Sequence, residues 1–293
     1  SSTTVAPLLQ SDVLRVYSTQ TAFAALKLDG SVVSWGDPSA GGIQDYPIPV
    51  QSRYQMVNVS SSLRSGVQQI TSTRDAFAAL KANGSVVTWG AGPAGSGTIG
   101  TGDPVSFSVI ADRKPQLTAG ILQIFANNRA FAALRLDGSV ITWGEASCGG
   151  DSSAVNLQLQ DSVIQIASSA TAFAALRSDG VVTTWGDQLS GADSRAVASK
   201  LSSGVVSIVA SQQAFAALKD DGTVVSWGLD IEAPSGLTQV RQLFATDAAF
   251  AALRADGSVV SWGARNAGGD SSAVQVFLRQ GVNTIVSTAS ALS

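Results

Sequence analysis

The stretch AFAALKLDGSVVSWG, residues 22–36, decides the fold, because the chain repeats it. It returns as AFAALKANGSVVTWG from Ala76, AFAALRLDGSVITWG from Ala130 and AFAALRSDGVVTTWG from Ala172. It returns again as AFAALKDDGTVVSWG from Ala214 and AFAALRADGSVVSWG from Ala249. Each copy is a pair of apolar and small-residue runs around Asp-Gly, or around Asn83-Gly84 in the second copy. That dipeptide between β-prone runs predicts a hairpin with a two-residue type I′ turn, in which both central residues take φ > 0. On this register Leu28 faces Ser31, Leu26 faces Val33, Ala24 faces Trp35 and Phe23 faces Gly36. Alternation then puts Ala24, Leu26, Val33 and Trp35 on one face, and Phe23, Ala25, Val32 and Ser34 on the other. Each large side chain would lie opposite a small one, which fills space without overpacking.

A second pattern precedes each hairpin. It reads VLRVYS at Val13, VQQITS at Val67, ILQIFA at Ile121, VIQIAS at Val163, VVSIVA at Val205, VRQLFA at Val240 and VNTIVS at Val282. These seven segments predict short strands, so each unit is a three-stranded antiparallel meander followed by a variable connection. GGDSSAV at Gly149 and Gly268, and GADSRAV at Gly191, read as N-capped short helical turns. The tryptophans stand at 35, 89, 143, 185, 227 and 262. A repeat near ~40 residues with three or four strands per unit suits a β-propeller blade. A linear solenoid would need polar capping units at its ends, and neither end has that character.

Strand one occurs seven times but the hairpin only six. The segment from Ser287 to Ser293 aligns with the start of a seventh strand two, and Ser2–Ala6 aligns with the end of a strand three. Val5 would face Ser293 and Ala6 would face Leu292. The expected architecture is therefore all-β: residues 1–293 as one seven-bladed β-propeller domain, closed by N- and C-terminal strands in one blade. The alternative is six blades plus a surplus C-terminal strand.

Composition bounds the chemistry. Hydrophobic residues are 45% and charged residues 13%, so a sizeable core is available, and no apolar run approaches membrane-span length. The net charge of −3 and the lack of a long basic cluster count against nucleic-acid binding, which needs local positive charge. Membrane insertion is not expected either. Cys148 is the one cysteine, so no intramolecular disulfide forms. Histidine is absent, which removes the commonest general base and metal ligand. No Ser/His/Asp set, metal cluster or phosphate loop is legible, and no catalytic residue, metal or cofactor is expected. Two glycosylation patterns, Asn58-Val59-Ser60 and Asn83-Gly84-Ser85, read as chance matches. The chain begins at Ser1 rather than Met, which favours a processed lumenal or secreted protein over a cytoplasmic one.

The sequence of small and apolar residues, Leu, an acidic-Gly turn, Val and Trp-Gly resembles the repeats of the regulator of chromosome condensation family. GTIGTGD at Gly97 is similar to that family's Leu-Gly-x-Gly-Asp segment, with Ile99 in the Leu position. The shorter units also resemble the propeller-type bacterial β-lactamase inhibitory protein. The near-identical repeats are similar to large tandem-repeat proteins of unassigned role in unicellular eukaryotes. The resemblance implies a seven-bladed propeller. It implies little about activity, since such propellers serve as an exchange factor, as enzyme inhibitors and as domains of ubiquitin ligases.

Three repeated features invite a functional reading. The acidic turn residues Asp29, Asp137, Asp179, Asp221 and Asp256 read as turn chemistry, because Asp tolerates the left-handed conformation. Two residues before each turn residue stands a cation: Lys27, Lys81, Arg135, Arg177, Lys219 and Arg254. These form a candidate cationic rim for an acidic partner, or are paired to carboxylates of their own or the next blade. The tryptophans could stack on carbohydrate, but their fixed place in the hairpin argues for packing between blades. The expected role is a non-catalytic protein-interaction or assembly subunit, part of a larger complex. Its contact residues are sought in the two long connections: Tyr46, Arg53, Tyr54, Phe107, Arg113 and Lys114. The alternatives are a small-ligand or glycan-binding propeller and a hydrolase that uses carboxylates alone.

Overall fold

The computed structural model describes residues 5–42, 45–50, 53–90, 115–229 and 231–288. It forms two compact units, residues 1–152 and 153–293. The first unit contains three three-stranded antiparallel sheets. They are β1 (Val13–Ser18), β2 (Ala22–Lys27) and β3 (Val32–Gly36); β6 (Val67–Ser72), β7 (Ala76–Lys81) and β8 (Val86–Gly90); and β9 (Ile121–Ala126), β10 (Ala130–Arg135) and β11 (Val140–Gly144). Between the first and second sheets stand a separate hairpin, β4 (Asp45–Val50) with β5 (Arg53–Asn58), and the one-turn helix α1 (Val59–Ser62). The second unit holds three more sheets of the same form. They are β12 (Val163–Ser168), β13 (Ala172–Arg177) and β14 (Val182–Gly186); β15 (Val205–Ala210), β16 (Ala214–Lys219) and β17 (Val224–Gly228); and β18 (Val240–Ala245), β19 (Ala249–Arg254) and β20 (Val259–Gly263).

The hairpin register differs from the expected one by a single residue. Phe23 pairs with Trp35, Ala24 with Ser34, Ala25 with Val33, Leu26 with Val32 and Ala22 with Gly36. The other five copies pair identically. The cause is the loop. The Gly30 N–H donates to the Lys27 carbonyl at 3.0 Å and the Lys27 N–H donates to the Ser31 carbonyl at 2.9 Å. The loop is therefore the three residues Leu28–Gly30, a type I turn closed by a left-handed glycine, rather than a two-residue loop. Gly30 has φ 76°, whereas Asp29 is not among the residues of positive φ. A one-residue slip reverses side-chain partners across the pair. Phe23, Ala25, Val33 and Trp35 share one face, while Ala22, Ala24, Leu26, Val32 and Ser34 share the other.

This division explains how sheets pack. The small-residue face of the first sheet (Ala22, Ala24, Leu26, Val32) packs on Ile70, Phe77, Ala79, Val87 and Trp89 of the second. Ala76, Ala78, Leu80 and Val86 likewise cover Ile124, Phe131, Ala133 and Trp143. In the second unit, Ala172, Ala174, Leu176 and Val182 cover Phe215 and Trp227, and Ala214, Ala216 and Leu218 cover Phe250 and Trp262. Phe77, Phe131, Phe215 and Phe250 are all 0% exposed. Each such aromatic removes roughly 150–250 Å² from water, worth about 4–6 kcal/mol as an upper value. On the first sheet the aromatic face is open: Phe23 is 45% exposed and Val16 50%.

Neighbouring sheets are also tied through the backbone. The Val67 N–H donates to Gly30 O, Ile121 to Gly84 O, Val205 to Gly180 O and Val240 to Gly222 O. Strand one carries a β-bulge after its first residue in every sheet, which puts Leu14, Leu122, Ile164 and Val206 on the surface.

The C-terminal segment departs from the expectation of a seventh strand one. Val282–Ser287 is not a strand; Ser287 alone is a bridge residue. The segment still keeps two contacts of its predecessors. The Val282 N–H donates to Gly257 O at 3.0 Å, and Ile285 packs on Ala251 and Leu253. At the other end Ala6 opens a 3₁₀ turn, Ala6–Leu9, instead of ending a strand. Residues 2–4 and 289–293, on which the shared-blade expectation also rests, lie outside the described residues. The expected helical turns are present as 3₁₀ turns, Ser153–Leu159, Arg195–Lys200 and Ser272–Val274. Among the described residues, no helix is long and apolar enough to cross a membrane.

Candidate functional site

The six repeated cations all reach backward along the chain or across their own loop. Lys27 Nζ donates to the Leu8 carbonyl at 3.1 Å, Lys81 Nζ to Ser62 at 2.6 Å and Lys219 Nζ to Lys200 at 3.0 Å. Arg177 Nη1 donates to Gln158 O at 3.0 Å. In these four cases the acceptor lies 19 residues upstream. It belongs to the last turn of the short helix that leads into the same sheet. Helix ends leave carbonyls without partners, and a cation satisfies both the orphan acceptor and the negative end of the turn. Arg254 Nε donates to Thr238 O at 2.9 Å. Arg135 instead pairs with Asp137 of its own loop at 2.9 Å, and Arg177 also contacts Asp161 and Asp179 at 3.4 and 3.3 Å. Carbonyl capping is therefore the commoner fate of these cations, and carboxylate pairing the rarer.

The turn aspartates fix their loops. Asp137 Oδ1 accepts from the Ser139 hydroxyl at 2.6 Å and the Ser139 N–H at 3.0 Å, and Asp221 and Asp256 do the same with Thr223 and Ser258. These bonds, the side-chain hydroxyl first, hold the carboxyls of Asp29, Asp137, Asp221 and Asp256 below the usual carboxylate range. For Asp179 the Val181 backbone N–H is the main cause. Asp's value here is hydrogen bonding from an ordinary backbone conformation, not tolerance of the left-handed region.

Trp89, Trp143, Trp227 and Trp262 are bound into sheet interfaces. Trp89 Nε1 donates to Gly41 O at 3.2 Å and Trp227 Nε1 to Gly191 O at 3.0 Å. Gly41 and Gly191 end the 3₁₀ turn that follows the preceding Trp-Gly, with φ 91° and 97°. A Cβ on either would lie 2.7 Å from the next Phe ring, Phe77 or Phe215. Trp143 and Trp262 Nε1 are buried without a hydrogen-bond partner among the described residues.

Two recurrent positions escape a reading focused on the hairpin. Three residues before each strand two stands Thr19, Thr73, Asn127, Ser169, Ser211 or Thr246. Each accepts from the first N–H of that strand, as Thr73 does from Ala76 at 3.1 Å. Four of them also donate to the 3₁₀ turn after Trp-Gly, as Asn127 Nδ2 does to Cys148 O at 2.7 Å. A leucine stands shortly before strand one; Leu63, Leu117, Leu159, Leu201 and Leu237 are all buried. Both signals were present in the sequence, as short polar residues three before strand two and leucines three or four before strand one.

Of the six contact candidates, Tyr46, Arg53 and Tyr54 belong to the β4–β5 hairpin, where Tyr46 pairs with Val57, Pro49 with Tyr54 and Val50 with Arg53. Phe107, Arg113 and Lys114, and the GTIGTGD segment, lie outside the described residues. An open polar cleft of about 390 Å³ adjoins the sixth sheet, lined by Ser261, Arg265, Asp270, Ser272 and Gln275 among others. Arg265 spans to Asp270 at 3.5 Å there. Among the described residues, no three His, Cys, Asp or Glu side chains converge as a metal site.

No family model and no curated relative matches the chain. Among solved structures it is similar to human WBSCR16, with 17% identity, a TM-score of 0.49, and coverage of 94% of this chain and 83% of that one. It is also similar to Prp20p of Saccharomyces cerevisiae, whose description reports binding to Gsp1p and histones. That match has 18% identity, a TM-score of 0.48, and coverage of 87% and 72%. The ectodomain of the Arabidopsis thaliana receptor kinase ACR4 matches at 15% identity, a TM-score of 0.44, and coverage of 86% and 80%. The structural neighbours thus include propellers of the RCC1 family, at low identity over most of the chain.

Proposed function

We propose that this chain is a non-catalytic interaction or assembly subunit, a scaffold that binds a protein partner through its irregular connections. The observation that carries the proposal is where the polar groups are spent. The repeated cations cap carbonyls or pair within their loops, the turn aspartates hold loops, and four of the tryptophans lie between sheets. The β4–β5 hairpin, by contrast, is an insertion with no counterpart in the other described connections. The test replaces residues 45–58 with a short Gly/Ser linker. The wild-type chain should retain a partner, identified by mass spectrometry, that the variant loses while its thermal midpoint holds. A wild-type chain that purifies only as a free monomer, or a variant that keeps the partner, would overturn the reading.

For the architecture, the proposal is a seven-bladed ring of RCC1 type in which the two chain ends share a blade. The Val282 to Gly257 bond and the burial of Ile285 support it, since both repeat contacts made at the sheets that open with Val67, Ile121, Val205 and Val240. Cysteines placed at Val5 and Leu292, which stand at the Trp and Phe places of the observed Phe23–Trp35 register, should crosslink within one chain. Failure to crosslink under oxidation favours six blades and a surplus strand.

The polar cleft beside Arg265 and Asp270 gives the second reading its one support, binding of a glycan or small polar ligand. Its lining is polar and open, whereas small-molecule sites are mostly apolar and enclosed. A glycan array without hits removes it.

A further inference from the structure

Asn83 is the one turn residue of the six that is an amide rather than an acid, and it precedes glycine. An Asn-Gly pair is chemically reactive. The Gly84 nitrogen, once deprotonated, can attack the Asn83 side-chain carbonyl carbon. A C–N bond closes a five-membered imide and the bond to Nδ2 breaks, releasing ammonia. Water then opens the imide at either carbonyl, leaving aspartate or isoaspartate. Glycine favours the attack because no side chain blocks its nitrogen.

The folded hairpin obstructs each requirement. The Gly84 N–H donates to the Lys81 carbonyl at 2.9 Å, and the Gly84 carbonyl accepts from the Ile121 N–H at 3.1 Å. The Asn83–Gly84 linkage is therefore held from both sides. The Asn83 carboxamide is held as well: Oδ1 accepts from the Ser85 N–H at 3.1 Å and the Ser85 hydroxyl at 2.7 Å. Gly84 itself lies against Gly120, where a Cβ would meet the Gly120 nitrogen at 2.7 Å. Imide closure needs the peptide plane to turn and the carboxamide to swing, which breaks all of these bonds at once.

We infer that Asn83 is a spontaneous modification site gated by the fold: it deamidates when the tip of the second hairpin opens and is silent while the tip is closed. The two products differ in consequence. Aspartate restores the residue found in the other five copies, with Ser85 placed to bond it as Ser139 bonds Asp137. Isoaspartate inserts a methylene into a three-residue loop whose bonds are fixed by length, and the tip cannot re-form as before.

The test incubates the purified chain, folded and in denaturant, at mildly alkaline pH, with peptide mapping of residues 82–100. The tip is open in every molecule in denaturant but in only a small fraction of folded molecules, so deamidation should be at least about tenfold slower in the folded chain. Ser85→Ala, which removes one bond to Oδ1, should raise the folded rate and leave the denatured rate unchanged. Asn83→Asp should fold with an unchanged thermal midpoint. Equal rates in folded and denatured protein overturn the gate, as does a Ser85→Ala variant whose folded rate matches the parent.

Discussion

Phe77 lies directly across the hairpin from Trp89, and their rings stack with centroids 5.1 Å apart and planes 24° from parallel. The same pair recurs in every copy at 5.2–5.6 Å, from Phe131–Trp143 to Phe250–Trp262. The stack stands on one face of its sheet and is roofed by alanines of the sheet before it. Large against small is thus achieved between sheets, not across the hairpin. Trp89→Ala should cost about 3–5 kcal/mol, and Phe77→Ala about the same. Because the two rings touch, the double variant should cost less than the sum, with a coupling of about 0.5–1.5 kcal/mol. Chemical denaturation of the three variants measures this; strict additivity would show that the stack adds nothing beyond burial.

Trp227 and Trp262 separate the ring from its N–H. Both are buried, but among the described residues only Trp227 Nε1 of the two has a partner, Gly191 O. Among the described residues, the connection before the sixth sheet has no 3₁₀ turn of the kind whose glycine supplies that carbonyl to Trp89 and Trp227. Trp→Phe removes similar volume at both sites. Trp227→Phe should therefore destabilise by about 1 kcal/mol more than Trp262→Phe. Equal losses would mean that the Gly191 bond contributes nothing net.

Lys81 reaches Ser62 O across 2.6 Å and is only partly exposed. Lys81→Met keeps the alkyl stem and removes the charge that caps the α1 carbonyl. A loss of about 1 kcal/mol is expected, with little dependence on salt because no carboxylate is involved. A variant as stable as the parent would leave the cation free for a partner.

How much of this was legible is clear from particular residues. Six copies of one motif make the three-stranded sheets unavoidable. The register was not legible, because Asp-Gly serves both a two-residue loop and the last two places of a three-residue loop. Only the bond from Lys27 N–H to Ser31 O separates them. The cations were legible as a repeated set of like residues, but the acceptors of four of them are backbone carbonyls 19 residues away, which side-chain patterns do not display. Gly41 could be read as a turn residue. That its carbonyl meets Trp89 follows only from the stacking of two sheets. Tyr46 and Tyr54 read as an irregular connection, because Pro47 and Pro49 argue against a strand. They lie in one nonetheless, in a two-stranded hairpin where Pro costs fewest ladder bonds.

Acid should find the turn aspartates next. Their carboxyls titrate lower in the folded chain than the ordinary value of 3.8, so they bind fewer protons folded than unfolded near that pH. Asp193 is held to about 2 by Arg195. A depressed folded value gives stability that is present above the unfolded value and lost as pH falls through the folded one. Thermal midpoints should thus be level from neutrality to about pH 4–5 and decline between there and about pH 2. Replacing Asp137, Asp221 and Asp256 together with Asn keeps an acceptor for the Ser or Thr bonds. The variant should flatten that decline; an unchanged profile would assign the acid sensitivity elsewhere.

Ile285 packs on the second unit's last sheet from a segment that forms no strand. It is 8% exposed although its segment forms no strand, and it covers Ala251 and Leu253 of β19. In the fifth sheet the equivalent Ile208 is held between a paired β15 and the sheet before it. Ile285 has the burial without the ladder, so its segment is fixed by one side chain, the Val282 N–H and the bonds from Arg241 to Val282 O and Asn283 O. Ile285→Ala should therefore cost about 2 kcal/mol, at the low end for a buried isoleucine, because the segment can settle into the space. Removing residues 282–293 exposes Ala251 and Leu253 and should lower the thermal midpoint by more than Ile285→Ala does. Hydrogen exchange localises the effect. The amides of Ala249–Arg254 should lose protection in the truncated chain, while those of Ala214–Lys219, one sheet further in, keep theirs. A truncated chain with the parent's midpoint and full protection of β19 would show that the C-terminal segment rests on the sheet without supporting it.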